Sequence, residues 1–353
     1  MTSSDRPVGA EDGWLWASGE PLARRHGVVL LDLDGVVYLQ GEPIPGVPEA
    51  LRELREAGAA PMFVTNNASR RAAEVAELLT ARGVPAAADE VCTSAQAAAR
   101  LLEQRCAPGD GVLVVGSEAL AAEVSAVGLR PIDGRDGAKP AAVVQGYGPT
   151  VGWRQLADAT IAVRGGAWWL ATNTDATMPS AHGVLPGNGT MVAAVATAVG
   201  RAPDAVAGKP SPVLLERAAA AHPYAAPIMV GDRWDTDIEA ARAADMPSVL
   251  VLSGTTRPRD LPALPPRGRP RYVAWTAAGI NETHPEVTGD DRRVRCREWS
   301  VSVDGERLTL SGDGTPLDAL RAIAEACWRF ERPAESIAGR GDQAARALSD
   351  LEW

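Results

Sequence analysis

The chain has 353 residues and a formal net charge of -10, which is enough length for two or three domains. Hydrophobic residues make up 46% and charged residues 23%, the ordinary balance of a globular protein. An acidic surface argues against a nucleic-acid partner, because phosphate backbones recruit Lys and Arg. An anionic substrate would therefore need a local site. No apolar run reaches the length of about eighteen residues that a membrane span needs.

Cys92, Cys106, Cys296 and Cys327 are scattered, with no CxxC pair and no His-rich neighbourhood. This argues against a disulfide framework or a zinc site. Inert thiols in a reducing cytoplasm are the expectation. The start lacks the basic-then-apolar order of a secretory signal. Its first dozen residues read as disordered, with Trp14, Leu15 and Trp16 pinning the following segment to the core.

Val28 to Leu33 reads as a buried parallel strand, apolar and bounded by turns. Val47 to Ala57 reads as a helix closed by Gly58, and Ala60 to Val64 as a second strand. Ser69 is expected to cap a helix ending near Gly83. A second rhythm begins near Ser94. Val112 to Val115, Ala141 to Gln145 and Ala167 to Ala171 read as strands, and Ala95 to Gln104, Ser117 to Val127 and Trp153 to Val163 as helices. A long Gly-, Pro- and Asn-rich loop follows, before a helix from Thr190 to Val199. Such loops are functional or disordered. The first rhythm then resumes, with strands at Pro227 to Val230, Ser248 to Leu252 and Tyr272 to Ala274 and helices at Pro212 to Ala221 and Asp235 to Ala244. Pro258 to Pro270 reads as a surface connection.

Alternating strands and helices predict an α/β fold: a Rossmann-like doubly wound parallel sheet with an inserted α/β domain. The expected division is 1–26 as a leading segment, 27–93 and 204–280 as the core, and 94–203 as the insertion. Residues 281–353 form a third module. There, Asn281 to Arg293 reads as a linker, Val294 to Val303 and Glu306 to Ser311 alternate about an Asp304-Gly305 turn, and Leu317 to Phe330 has one apolar stripe. The module reads as β-β-α.

Four segments fall where strands end, which is where open α/β sheets bind ligands. They are Asp32-Leu33-Asp34, Thr65-Asn66-Asn67, Gly208-Lys209-Pro210, and Gly231-Asp232 with Asp237. Two carboxylates 4 Å apart repel by about 4 kcal/mol at an effective dielectric of 20. A hard divalent cation removes that repulsion, and oxygen ligands without His or Cys select Mg²⁺. One aspartate could then attack phosphorus, and a carboxylate two residues on could move protons to the leaving oxygen and from water. Lys209, Thr65 and backbone amides would hold the equatorial oxygens. Each segment also has a plainer reading. Asp34-Gly35 between apolar runs is a hairpin signal, and Thr65-Asn66-Asn67 suits a helix cap. Lys209 could be a solvated surface charge, and Asp232 and Asp235 could serve a helix dipole.

The stretches DLDGVVY, FVTNNASR, VAGKPSP and VGDRWDTDI, in this order around an insertion, resemble the haloacid-dehalogenase-like phosphatases, in their p-nitrophenylphosphatase-like branch. The resemblance runs from Val28 to Ala278. Length and tail are most similar to the actinobacterial glycerol-3-phosphate phosphatases of that branch. The resemblance implies that Asp32 is the nucleophile and Asp34 the general acid/base. Thr65 and Lys209 would hold the phosphate with Asn66 beside them. Mg²⁺ would take the Asp32 carboxylate, the Asp34 carbonyl and Asp232, with Asp237 behind or reached through water. The insertion would be a cap over the site, with Asn173, Asp175 and His182 of its long loop facing the leaving group. The family's cap often shows Gly-x-Asp after the strand at Ala141 to Gln145, where this chain has Gly146-Tyr147-Gly148.

The expected activity is therefore Mg²⁺-dependent hydrolysis of a small phosphate ester, glycerol 3-phosphate first. Phosphoglycolate, a sugar phosphate or a nucleotide are the alternatives within the class. From another class, the chain would be an interaction or regulatory protein working through the tail's apolar stripe, which also leaves room for a homo-oligomer.

Overall fold

The computed structural model describes residues 14–134, 139–180 and 183–353. The first dozen residues and His182 lie outside that set. The chain forms two compact units, one of Met1–Leu39, Pro43–Pro61 and Tyr224–Trp353, the other of Gln40–Glu42 and Met62–Pro223.

In the first unit Val28–Leu31 pairs with Pro227–Gly231, which pairs with Ser248–Val251, which pairs with Tyr272–Ala274, all in parallel. All four Val28–Leu31 side chains are buried, as an unbroken apolar run in a parallel sheet requires. Ala60–Thr65 begins beside this sheet, the Ala60 N–H donating to the Gly27 carbonyl at 3.0 Å. The tail follows in the same unit and is larger than β-β-α. Val287–Gly289, Arg293–Cys296, Trp299–Asp304 and Arg307–Ser311 form an antiparallel sheet, and Ile337–Gly339 adds in parallel. Helices Pro316–Phe330 and Asp342–Asp350 complete it. The expected linker holds an edge strand of three residues, too short and polar to alternate. The Val294 to Val303 run is two strands because Arg297 turns the chain at a φ of 51°.

The tail's apolar stripe is not free. Leu317, Leu320, Ile323, Ala324, Cys327 and Trp328 are buried in one cluster with Trp299 and Leu310, and with Ile238, Leu250, Leu261, Leu264 and Val273 of the first part of the unit. Trp14 and Leu15 are pinned as expected. Their backbone N–H groups donate to the buried Glu325 carboxylate at 3.1–3.2 Å. The Trp14 ring lies 4.8 Å from the Arg269 guanidinium and 5.4 Å from that of Arg242.

In the second unit Phe63 to Thr65 pairs in parallel with Val91–Thr93. A separate sheet of five parallel strands runs in the order Ala205–Val206, Trp168–Ala171, Ala142–Gln145, Gly111–Val115, Arg130–Ile132. Thr93 caps Ser94–Arg105 and Ser117 caps Glu118–Ala126, each side-chain oxygen accepting a first-turn N–H. Ser69 does not cap. The helix starts at Ala72, and the Ser69 N–H donates to Asn67 Oδ1 at 2.8 Å. The long loop contains an antiparallel hairpin, Thr177–Ser180 with Gly183–Pro186, before helix Asn188–Val199.

All four cysteines are free. Burial pushes the Cys92 thiol up to about 11 and those of Cys296 and Cys327 up to about 12, so these three are inert. Among the described residues no helix is long and apolar enough to cross a membrane.

Candidate active site

The first unit gathers carboxylates at the ends of two neighbouring strands. Asp32 directly follows Val28–Leu31, its N–H donating to the Val230 carbonyl at 3.0 Å. Asp232 directly follows Pro227–Gly231 and is 2% exposed, while Asp237 is fully buried. One carboxylate oxygen from each lies within 4.8 Å of the others. Asp237 comes from the five-residue π-turn Trp234–Ile238, a form of widened helical turn common at functional sites. Its Oδ2 accepts the Arg233 N–H at 3.1 Å, and Asp232 Oδ2 accepts the Thr255 N–H at 2.6 Å.

The backbone is shaped around Asp232. Gly35 has a φ of +82°, and a Cβ there would lie 2.5 Å from Asp232 Oδ2. Ser253 Oγ fixes this turn by donating to the Gly35 carbonyl at 2.7 Å. The Asp34 side chain is exposed, and a bridge joins Asp34 to Tyr38. The hairpin expected at Asp34-Gly35 forms later, between Tyr38–Leu39 and Glu42–Pro43.

Three carboxylates without His or Cys form an all-oxygen donor set, the hard ligation that Mg²⁺ prefers. Gathered without a cation they would repel by several kcal/mol, about 4 per pair at 4 Å and an effective dielectric of 20. Asp237, expected behind the ligands, offers its carboxylate within the same group. Asp235 stands apart, paired with Arg233 at 2.9 Å.

The second unit gathers the other predicted groups. Thr65 ends its strand 6% exposed, and its Oγ1 accepts the Asn67 N–H at 3.1 Å. Lys209 is 2% exposed, which overturns the surface-charge reading. Asn66 clamps it. Asn66 Oδ1 accepts the Lys209 N–H at 2.8 Å, and Asn66 Nδ2 donates to the Lys209 carbonyl at 3.0 Å. The same Nδ2 donates to Asp175 Oδ2 at 3.0 Å. The Asn66 carbonyl accepts from Ser94 Oγ at 2.6 Å and from Asn173 Nδ2 at 2.7 Å. Thr65-Asn66-Asn67 is thus a clamp and not a helix cap. A Cβ on Gly208 would lie 2.5 Å from Asn66 Oδ1 and 2.6 Å from the Thr172 carbonyl, so only glycine lets the strands of this clamp close.

Ser94, Ser253 and Thr255 escaped the sequence reading as site residues. The signal for the last two was available: Ser253-Gly254-Thr255 also leaves a strand at its carboxyl end.

A haloacid dehalogenase-like hydrolase profile matches residues 29–130, a HAD-hydrolase-like profile residues 206–278, and a GCN5-related N-acetyltransferase like domain residues 296–353. The chain is 42% identical over 341 residues to the D-glycerol 3-phosphate phosphatase of Mycobacterium tuberculosis, covering 92% of this chain and 94% of that one. The crystal structure of a glycerol phosphate phosphatase from the same organism, in complex with magnesium, superposes with a TM-score of 0.87 at 42% identity over 94% of this chain and 99% of that one. The 4-nitrophenylphosphatase of Thermotoga maritima superposes with a TM-score of 0.68 at 31% identity, covering 74% of this chain and 98% of that one.

Proposed function

Since the chain belongs to the haloacid-dehalogenase-like hydrolases, we propose that it is a Mg²⁺-dependent phosphomonoesterase that hydrolyses glycerol 3-phosphate to glycerol and phosphate. The observation that carries this reading is the convergence of Asp32, Asp232 and Asp237 at adjacent strand ends. These residues would hold Mg²⁺, with the Asp34 carbonyl. Bound there, the ion supplies charge neutralisation between carboxylates and phosphate and orients the ester.

In our reading an Asp32 carboxylate oxygen attacks phosphorus, and the bond from phosphorus to the glycerol oxygen breaks. Asp34 gives its proton to that leaving oxygen. Asp34 then takes a proton from water, whose oxygen attacks the aspartyl phosphate. The Asp32–phosphorus bond breaks, and phosphate and the free Asp32 carboxylate return. The exposure of Asp34 suits a group that exchanges protons with solvent. Thr65 and Lys209 hold the phosphate oxygens, and Asn66 holds Lys209.

The functional division we propose keeps 27–93 and 204–280 as the catalytic core, 94–203 as the cap and 281–353 as the accessory module, in a cytoplasmic enzyme. The choice of ester is supported by the extent of the match. A similarity over 92% of the chain must include most of residues 281–353, whereas the 4-nitrophenylphosphatase accounts for 74%. A tail whose stripe is buried against the hydrolase sheet speaks against a separate role as a partner-binding surface. The test is kcat/KM with Mg²⁺ over glycerol 3-phosphate, phosphoglycolate, sugar phosphates and nucleotides. Glycerol 3-phosphate is expected to rank first, and a nucleotide in that place would overturn the assignment.

A further inference from the structure

Asn188 opens the helix Asn188–Val199, yet its side chain does not cap it. It is 2% exposed, and its Nδ2 donates to the Asn173 carbonyl at 2.7 Å and to the Gln145 carbonyl at 3.3 Å. Asn173, 5% exposed, donates in turn from its own Nδ2 to the Asn66 carbonyl. Its Oδ1 accepts the Asp175 N–H at 3.2 Å, which aims the Asp175 carboxylate at Asn66 Nδ2. Asn66 closes the chain on both backbone groups of Lys209. Three carboxamides, Asn188 and Asn173 buried and Asn66 half-buried, thus lie in series, each donating to a backbone carbonyl of the next residue in the series. Burying an amide is costly unless it is hydrogen-bonded, and one bond from each carboxamide leads on towards Lys209, while Asn188 also holds the Gln145 carbonyl and Asn66 the Asp175 carboxylate.

We infer that Asn188, Asn173 and Asn66 form a relay that sets the position of Lys209, and that Asn173 and Asp175 act through Asn66 and not on the leaving group. Asn188 is then a positioning residue for the phosphate, although it lies on a cap helix distant in sequence from every motif of the core. The inference rests on the reading of Lys209 as a phosphate ligand. It replaces the expectation that this loop recognises the alcohol. A relay ending on Lys209 acts on the phosphoryl group that all esters share, so its loss penalises every ester alike.

The test uses the full chain with Mg²⁺. Inorganic phosphate is the probe, read by calorimetry and as a competitive inhibitor, beside kcat and KM for glycerol 3-phosphate and p-nitrophenyl phosphate. Asn188→Ala is expected to weaken phosphate binding about tenfold and to lower kcat/KM for both esters by the same factor. Asn188→Asp keeps the shape but removes the donors, so it is expected to do at least as much. It also carries the test if the alanine variant fails to fold. The double variant Asn66→Ala with Asn188→Ala is expected to be no worse than Asn66→Ala alone, because members of one relay do not add. Unchanged phosphate binding in Asn188→Asp, additive losses in the double variant, or a penalty confined to one ester would each overturn the relay. Lys209→Met tests the underlying reading separately. If it leaves phosphate binding intact, the phosphate site itself is wrong. If it abolishes binding while Asn188→Asp does not, only the relay falls.

Discussion

Lowering the pH from 7 to 5 is expected to remove about 2 kcal/mol of stability through His284 alone. This side chain is 4% exposed and sits where the tail helix meets the hydrolase sheet. Its Nε2 lies 3.1 Å from the Gly279 carbonyl, which can only accept, so Nε2 carries the hydrogen. Nδ1 therefore presents a lone pair to Arg321 Nη2 at 3.5 Å. Arg321 is fixed there by Asp318 at 2.6 Å and by the Val273 carbonyl at 2.7 Å, and the Tyr272 ring covers His284 at 5.0 Å. A second ring proton would face the guanidinium. Burial, and then Arg321, hold the imidazole down to about 4 from 6.5. The unfolded chain takes up the proton near 6.5, and the folded chain only near 4. Stability from this group is whole above the upper value and is lost as pH falls towards the lower one. At pH 5 the unfolded His is almost fully protonated and the folded one about a tenth, a difference worth about 2 kcal/mol relative to pH 7. Urea unfolding at pH 7 and pH 5 measures it, with His284→Gln as the reference. The variant is expected to lose about 2 kcal/mol less over that interval than the native chain. An equal loss in both proteins would show that His284 is not held neutral by this junction.

Asp32→Asn is expected to lower kcat by more than about a thousandfold, because it removes the proposed nucleophile. The unfolding midpoint is expected to stay within a few degrees, and turnover near the native rate would refute the role. Chelation of divalent ions by EDTA is expected to abolish hydrolysis and added Mg²⁺ to restore it, while full activity after exhaustive dialysis against EDTA would contradict the acidic cluster's assignment. Truncation after Gly279 is expected to give no soluble enzyme. Ile238, Leu250, Leu261, Leu264 and Val273 share their cluster with the tail, and losing half of their burial costs about 5 kcal/mol, comparable to the whole stability of a domain. A folded, active fragment in a sedimentation and activity assay would show that the tail is separable. Gly208→Ala is expected to destabilise by about 1–3 kcal/mol and to raise KM for every phosphate ester, since the new methyl group meets Asn66 Oδ1 and the Thr172 carbonyl.

The strands, the order of the chemical motifs and the placing of Asp32 and Asp232 at strand ends were legible in the sequence. Buried parallel strands need unbroken apolar runs, and polar groups can appear only where those runs stop. Helix caps were less legible: Ser69, the cap the sequence suggested, does not cap, while Thr93 and Ser117 do. Elements too short to show a period were invisible, such as Val287–Gly289 and Ile337–Gly339. So was the turn at Arg297, because nothing in its chemistry announces a left-handed residue.

Only the tertiary structure decided what the polar residues touch. Asn66 meets Asp175 across 109 residues of chain and Lys209 across 143, so no local pattern could reveal that its amide is a clamp. The burial of Lys209 and the seating of the tail helix on the hydrolase sheet are of the same kind. An apolar stripe records that a face must be covered, and a lysine records a charge. The segment that does the covering or the pairing is chosen by chain closure in three dimensions, which a linear pattern of residue types does not encode.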